Sequence, residues 1–141
     1  MTPDDERFLR RAIALAVQAR AEGEAPFASL LVSPDGEIMA EERNTVLSDN
    51  DITAHPELKL ARWVARNVSA DVAAGTTLFT SCQPCGMCAG AIDRSGLGRV
   101  VYALSNEQLA TLKPAGGFPR VPEVGPALAA EAQHAVDKYY R

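Results

Sequence analysis

The sequence contains no apolar run long enough to cross a bilayer, and Met1 to Arg11 is charged and helix-like with no apolar signal core. Both absences place the expected location in the cytoplasm. Cysteine is scarce. Its three copies all fall between Cys82 and Cys88, so they build no disulfide framework and read as metal or redox chemistry. There is no basic stripe either. With 14 Lys+Arg against 18 Asp+Glu the net charge is −4, which weighs against a polyanionic partner such as nucleic acid. Repeats, low-complexity tracts and interdomain linkers are missing as well, so residues 1–141 are expected to form a single domain.

What is present is a regular alternation of helix and strand signals. Thr2-Pro3-Asp4-Asp5-Glu6 has the cap, proline and acids of a helix start. Phe8, Ala12, Ile13, Ala16 and Val17 follow at helical spacing, and Gly23 marks the stop. Pro26 to Val32, the turn Ser33-Pro34-Asp35-Gly36, and Glu37 to Glu42 predict a β-hairpin. Arg43 to Thr53 is expected to be irregular, with Thr53 capping a helix that runs through Trp63, a core residue, to about Asn67. Thr76–Thr80 and Arg99–Leu104 read as two further strands. Between them, Pro84 suits the first position of a helix whose head holds Cys85 and Cys88 and which ends near Ser95-Gly96. Ser105 and Gln108 form a capping box for a short helix. Residues 113–126 read as a loop and candidate lid before a last helix through Ala127–Tyr140. A hairpin followed by strand–helix–strand units predicts an α/β fold, a mixed sheet in three α/β/α layers.

Cys85 and Cys88 lie three apart, on one helix face, and a helix N-terminus favours thiolate over thiol. His55, one of two histidines, heads the preceding predicted helix, so two helix starts at one sheet edge bring an imidazole to two sulfurs. One nitrogen and two sulfurs suit Zn2+, and three protein ligands leave the open fourth position of a catalytic site. Glu57, two residues on, is the candidate proton carrier. Cys-x-x-Cys alone also fits a redox pair. Cys82 repeats the spacing toward Cys85; as a fourth ligand it would close the site and make it structural, and as the end of a strand it is a buried thiol.

His55-Pro56-Glu57 followed by Pro84-Cys85-Gly86-Met87-Cys88 resembles the H-x-E…P-C-x-x-C signature of the zinc-dependent cytidine-deaminase-like superfamily. Ala25-Pro26-Phe27 resembles its substrate-side loop, and Arg43-Asn44-Thr45 the strand end whose asparagine contacts the base. Met87-Cys88-Ala89-Gly90-Ala91-Ile92 resembles the branch with guanine deaminases, fungal-type cytosine deaminases and tRNA adenosine deaminases. The resemblance implies that His55, Cys85 and Cys88 bind zinc, that Glu57 shuttles protons and that Asn44 reads the substrate. Phe27 and Pro84 join the substrate side, and Phe118 is either a stacking cap or a packing residue. Three positions depart from the branch: Pro56 where alanine is usual, Gln83 in place of glutamate, and Ala28-Ser29 in place of Gly-Ala.

The implied activity is hydrolytic removal of an exocyclic amine from a free nucleobase or analogue, of cytosine/azacytosine, guanine/isoguanine or aminotriazine type, by a homodimer. A tRNA adenosine deaminase is the nearest alternative, and a non-catalytic module stapled by zinc the next. The final helix, with Tyr139 and Tyr140, either packs locally or reaches a neighbouring site, and His134 on it reads as structural or exposed.

Overall fold

The computed structural model describes residues 1–114 and 116–140. Its elements are α1 (Pro3–Ala21), β1 (Ala28–Val32), β2 (Ile38–Arg43), α2 (Val46–Asp49), α3 (Pro56–Asn67), α4 (Ala70–Ala74), β3 (Thr77–Cys82), α5 (Gly86–Ser95), β4 (Arg99–Leu104), α6 (Asn106–Leu112) and α7 (Ala129–Tyr140). The sheet order is β2-β1-β3-β4. β1 runs antiparallel to both its neighbours, and β3 and β4 run parallel. This is the expected mixed sheet. No helix among the described residues is long and apolar enough to cross a membrane.

Two cores explain the three layers. Strand side chains alternate between faces, so Leu30 and Phe79 join Phe8, Ala12 and Leu15 of α1 on one side. Leu31 and Leu78 join Leu60 and Val64 of α3 and Ile92 of α5 on the other, with Trp63 packed beside them. β1 is covered on both faces, so all five of its residues are buried. Each fully buried leucine there contributes roughly 1.5–3 kcal/mol. The Phe8 and Phe79 rings meet at 5.1 Å between centroids. The Asp5–Arg99 ion pair ties α1 to β4 near that contact. The hairpin turn is as expected: Gly36 has φ +85°, which glycine tolerates, and Ser33 N donates to Glu37 O at 2.8 Å.

Several boundaries differ from the sequence expectation, each for a local reason. The stretch after Arg43 is not wholly irregular, because it contains the short α2. Residues 70–74 form an extra turn of helix, α4, capped by Ser69. Thr53 does not cap α3, because the chain turns at Asp51, whose Oδ1 accepts from the Thr53 N–H and hydroxyl at 2.8 and 2.7 Å, and the helix begins only at Pro56. His55 is the N-cap, with Pro56 at the first helical position. Likewise Pro84 lies outside α5, whose N-cap is Cys85. β3 extends to Cys82, so that cysteine ends a strand as expected. The capping box of Ser105 and Gln108 is present.

The last stretch behaves differently. Among the described residues from 113 on, no side chain is buried. α7 begins at Ala129 instead of Ala127, and Phe118 and Val124 are fully exposed.

Candidate active site

The site grows from two helix starts. N-caps are ordinarily Ser, Thr, Asp or Asn, whose side chains satisfy the free N–H groups of the first turn. α3 and α5 carry His55 and Cys85 there, and neither side chain caps its own helix. Both helices thus forgo about 1 kcal/mol of capping. The two side chains turn toward each other instead, and Cys88, one turn into α5 and fully buried, joins them. Cys85 Sγ lies 3.6 Å and Cys88 Sγ 3.4 Å from His55 Nδ1. The three donor atoms all fall within 4.8 Å of one another.

That geometry fits a tetrahedral zinc. Bonds of about 2.3 Å to sulfur and 2.0 Å to nitrogen place N and S about 3.5 Å apart. Cys82 is not part of the gathered set, so among the described residues the group supplies three ligands and no fourth.

Electrostatics point the same way. Burial pushes the Cys88 thiol up, and the charges of Glu57 and Cys85 add to the effect. This corrects the expectation of thiolates favoured by the helix start: for Cys88, desolvation and two acidic neighbours outweigh the dipole. Burial lowers the pKa of His55, helped by the nearby Lys113 cation. Cys88, which resists its anionic form, and His55, which resists its cationic form, are matched by a divalent cation, which deprotonates thiols and accepts a neutral imidazole.

Glu57 sits in the first turn of α3 and is only 6 % exposed. Burial raises its carboxyl pKa, partly offset by a backbone N–H, the Ser29 hydroxyl and the Cys88 thiol. A carboxyl raised toward neutrality is one able to hold and release a proton. Ser29 Oγ lies 3.4 Å from Glu57 Oε1 and 2.8 Å from Thr80 Oγ1, and Thr80 donates on to Cys82 O at 2.9 Å. Sequence reasoning noted Ser29 only as a departure from the Gly-Ala of the branch and missed Thr80. The available signal was a hydroxyl at the same inward position of two adjacent apolar strands, Ser29 opposite Thr80.

The substrate-side residues divide. Asn44 is 4 % exposed, and its Oδ1 accepts from Val46 N at 3.0 Å. Its backbone N–H donates to Phe27 O at 2.9 Å, and Thr45 N donates to Ala54 O at 3.1 Å, one residue from His55. Asn44 and half-buried Phe27 thus adjoin the head of α3. Pro84 is half-buried beside Cys85, and its carbonyl accepts from Asn106 Nδ2 at 3.2 Å. Gln83 Oε1, the neutral replacement, accepts from Asn106 N at 2.9 Å. Phe118 is not brought in; it is fully exposed. His134 is exposed on α7.

Comparison with known proteins agrees with this geometry. Residues 2–104 match the family described as the cytidine and deoxycytidylate deaminase zinc-binding region. A probable cytosine deaminase of Schizosaccharomyces pombe is 36% identical over 117 residues, 83% of this chain and 70% of that protein. A tRNA-specific adenosine deaminase of Buchnera aphidicola is 36% identical over 105 residues, 74% of this chain and 69% of that one. The crystal structure of guanine deaminase from Bacillus subtilis superposes with a TM-score of 0.75 at 30% identity, covering 99% of this chain and 94% of that chain. The family match spans both helix starts, and the His/Cys/Cys set suits the metal for which the family is described. The cofactor is Zn2+, and the chain belongs to the cytidine-deaminase-like superfamily of hydrolytic deaminases.

Proposed function

We propose that residues 1–141 form one deaminase domain that removes the exocyclic amine of a free nucleobase or close analogue, of cytosine, guanine or aminotriazine type, releasing ammonia. The observation that carries the reading is a buried Glu57 beside a three-donor set with no fourth ligand among the described residues. His55, Cys85 and Cys88 hold the metal. Zinc bound there supplies Lewis acidity, which makes water acidic near neutral pH.

The chain's own residues then handle binding and protons. Asn44, its Nδ2 without a partner among the described residues, is free to bond the ring edge of the base. Glu57 takes one proton from water as its oxygen joins the amine-bearing ring carbon, and passes it to the neighbouring ring nitrogen as the C=N bond opens. It then takes the hydroxyl proton and delivers it to the exocyclic nitrogen. The C–N bond breaks, ammonia leaves, and the ring keeps the oxygen as a carbonyl. Ser29, itself hydrogen-bonded to Thr80, adjoins the Glu57 carboxyl and helps to hold it in place. Phe27 and Pro84 flank the base, and the working form is a homodimer, which light scattering tests.

The test is ammonia release from zinc-loaded protein with cytosine, azacytosine, guanine, isoguanine, adenine and aminotriazines. Turnover of one of these supports the reading, and silence on all of them rejects the free-base version. A second reading is favoured by one specific observation: tRNA-specific adenosine deaminases match as closely as the base deaminases do. Inosine formation in an anticodon stem-loop RNA, with no turnover of free bases, would establish it.

A further inference from the structure

Lys59 lies on α3, one helical turn from the His55 cap, and its side chain is only 17% exposed. Lysine ordinarily keeps its ammonium in water. Here all three donors are used. Nζ donates to Thr45 Oγ1 at 2.6 Å, to Arg43 O at 3.0 Å and to Glu42 Oε2 at 3.4 Å. Two of these acceptors belong to the residues immediately before and after Asn44. The third is one position further back on β2. The Thr45 hydroxyl donates its own proton to Asp49 Oδ2 at 2.6 Å, so its oxygen is left as an acceptor for the ammonium. Thr45, the N-cap of α2, makes no capping bond of its own, and the Glu24 carboxylate accepts from Leu47 N and Ser48 N at 3.2 and 3.0 Å in its place.

We infer that Lys59 is a positioning residue that clamps the Asn44 turn to α3 and so fixes the base-reading amide relative to the His55 and Glu57 side chains. The inference rests on the reading of Asn44 as a substrate contact. The physical need is plain. The turn joins the end of β2, an edge strand, to the four-residue α2, and neither has the packing to hold an amide to fractions of an ångström. α3 carries His55 at its cap and Glu57 in its first turn, so it is the natural reference. A charge-assisted hydrogen bond on each side of Asn44 sets the turn's height and its rotation together. The backbone bonds from Asn44 N to Phe27 O and from Thr45 N to Ala54 O complete the frame. Arg99 and Asp5 also tie two elements, yet that pair, with Arg99 half-exposed, joins α1 to β4 and steadies no substrate-side residue.

The test is Lys59→Met, which keeps the apolar stem and removes the donors. Hydrogen exchange is read at the amides of residues 44–46, with zinc content confirmed unchanged. The expected result is exchange about tenfold faster at those amides, while the amides of β1 and β3 keep their protection. No change at residues 44–46 overturns the clamp. So does uniform quickening across the sheet, which would make Lys59 one stabilising contact among many.

A kinetic arm uses whichever base the panel turns over. There Lys59→Met should raise KM roughly tenfold and leave kcat within about threefold, because the loss falls on binding. In an Asn44→Ala background the same substitution should add almost nothing, since Lys59 acts through Asn44. Full additivity of the two losses overturns the inference. If the panel yields no substrate, the exchange arm still decides the clamp, so failure of the substrate reading and failure of the clamp remain distinct.

Discussion

Two stretches of this chain have similar apolar chemistry and opposite fates. Residues 2–104, the part matched to the deaminase family, contain every buried hydrophobic side chain among the described residues and all three gathered metal donors. Residues 116–140 carry Phe118, Val121, Val124, Val136, Tyr139 and Tyr140, and all of them are exposed. The difference lies in geometry. The first stretch has strands to present alternate side chains to two helix layers. The second has one helix and a proline-rich arm, which offer no second surface to pack on. The comparison teaches that the apolar residues of the body work through the sheet, and that the site is held by the same packing that makes the core.

The sharpest way to separate site from scaffold is to damage the chemistry without touching the packing. Glu57→Gln keeps the shape of a buried side chain and removes its ability to carry a proton. Deaminase activity should fall roughly 10²- to 10⁴-fold, with zinc content and melting temperature close to wild type. A variant that kept its activity would assign the proton work elsewhere. Zinc removal probes the opposite coupling. Chelation should lower the thermal midpoint of the body, because the N-cap side chains of both α3 and α5 are spent on the metal and leave those helix starts uncapped. An unchanged midpoint would break the link between site and scaffold.

Next in size is a change that damages packing far from the zinc ligands. A Cβ placed on Gly98 would lie 1.8 Å from the Ala74 carbonyl oxygen, which is backbone and has no rotamer to yield. Gly98→Ala should therefore destabilise the body by about 3 kcal/mol, read from the denaturant midpoint. Zinc affinity measured on the remaining folded fraction should hardly change.

How much of this was legible in the sequence depends on whether a feature was local. The Thr2 cap, the Ser105 capping box, the Gly36 turn and the strand cores follow short-range rules, and they appear in the structure where those rules put them. Both helix starts at the site lie two residues later than local rules put them. Those rules place a cap at Thr53 and a first helical residue at Pro84, where the structure has His55 and Gly86. Capping rules assume that the cap serves its helix; at this site it serves the metal. The Ser29–Thr80 pair and the Lys59 clamp were illegible for another reason. Each joins residues whose only relation is a strand register or a turn position. The short α4 carries too little periodicity to be recognised.

A smaller effect is expected at the α1–β4 tie. Asp5 both completes the Thr2 capping box and pairs with Arg99. Its carboxyl is held below the usual range, first by the Thr2 backbone N–H and then by Arg99. A folded-state pKa below the unfolded value gives stability that is present above the ordinary carboxylate pKa and fades as pH falls through the folded one. Asp5→Asn should therefore cost about 1 kcal/mol at neutral pH. The gap from wild type should narrow in acid. A gap that stayed constant with pH would mean that the charge contributes nothing and only the packing matters.

The smallest effect should come from the stretch with the most exposed apolar surface. Removing residues 116–141 deletes no buried hydrophobic side chain of either core cluster. Burial near 25 cal/mol per Å2 stabilises only what leaves the water, and these side chains have not left it. The truncated chain should keep its zinc content, and its denaturant midpoint should correspond to a change within about 0.5 kcal/mol. The slope of its unfolding transition should shrink little, because that slope follows the area newly exposed, and this stretch is already exposed when folded. A loss of several kcal/mol, or a markedly shallower transition, would show that Phe118, Val124 and the two tyrosines find cover in solution. The contrast between the two stretches would then be one of which surface each packs on, and no longer one of packed against unpacked.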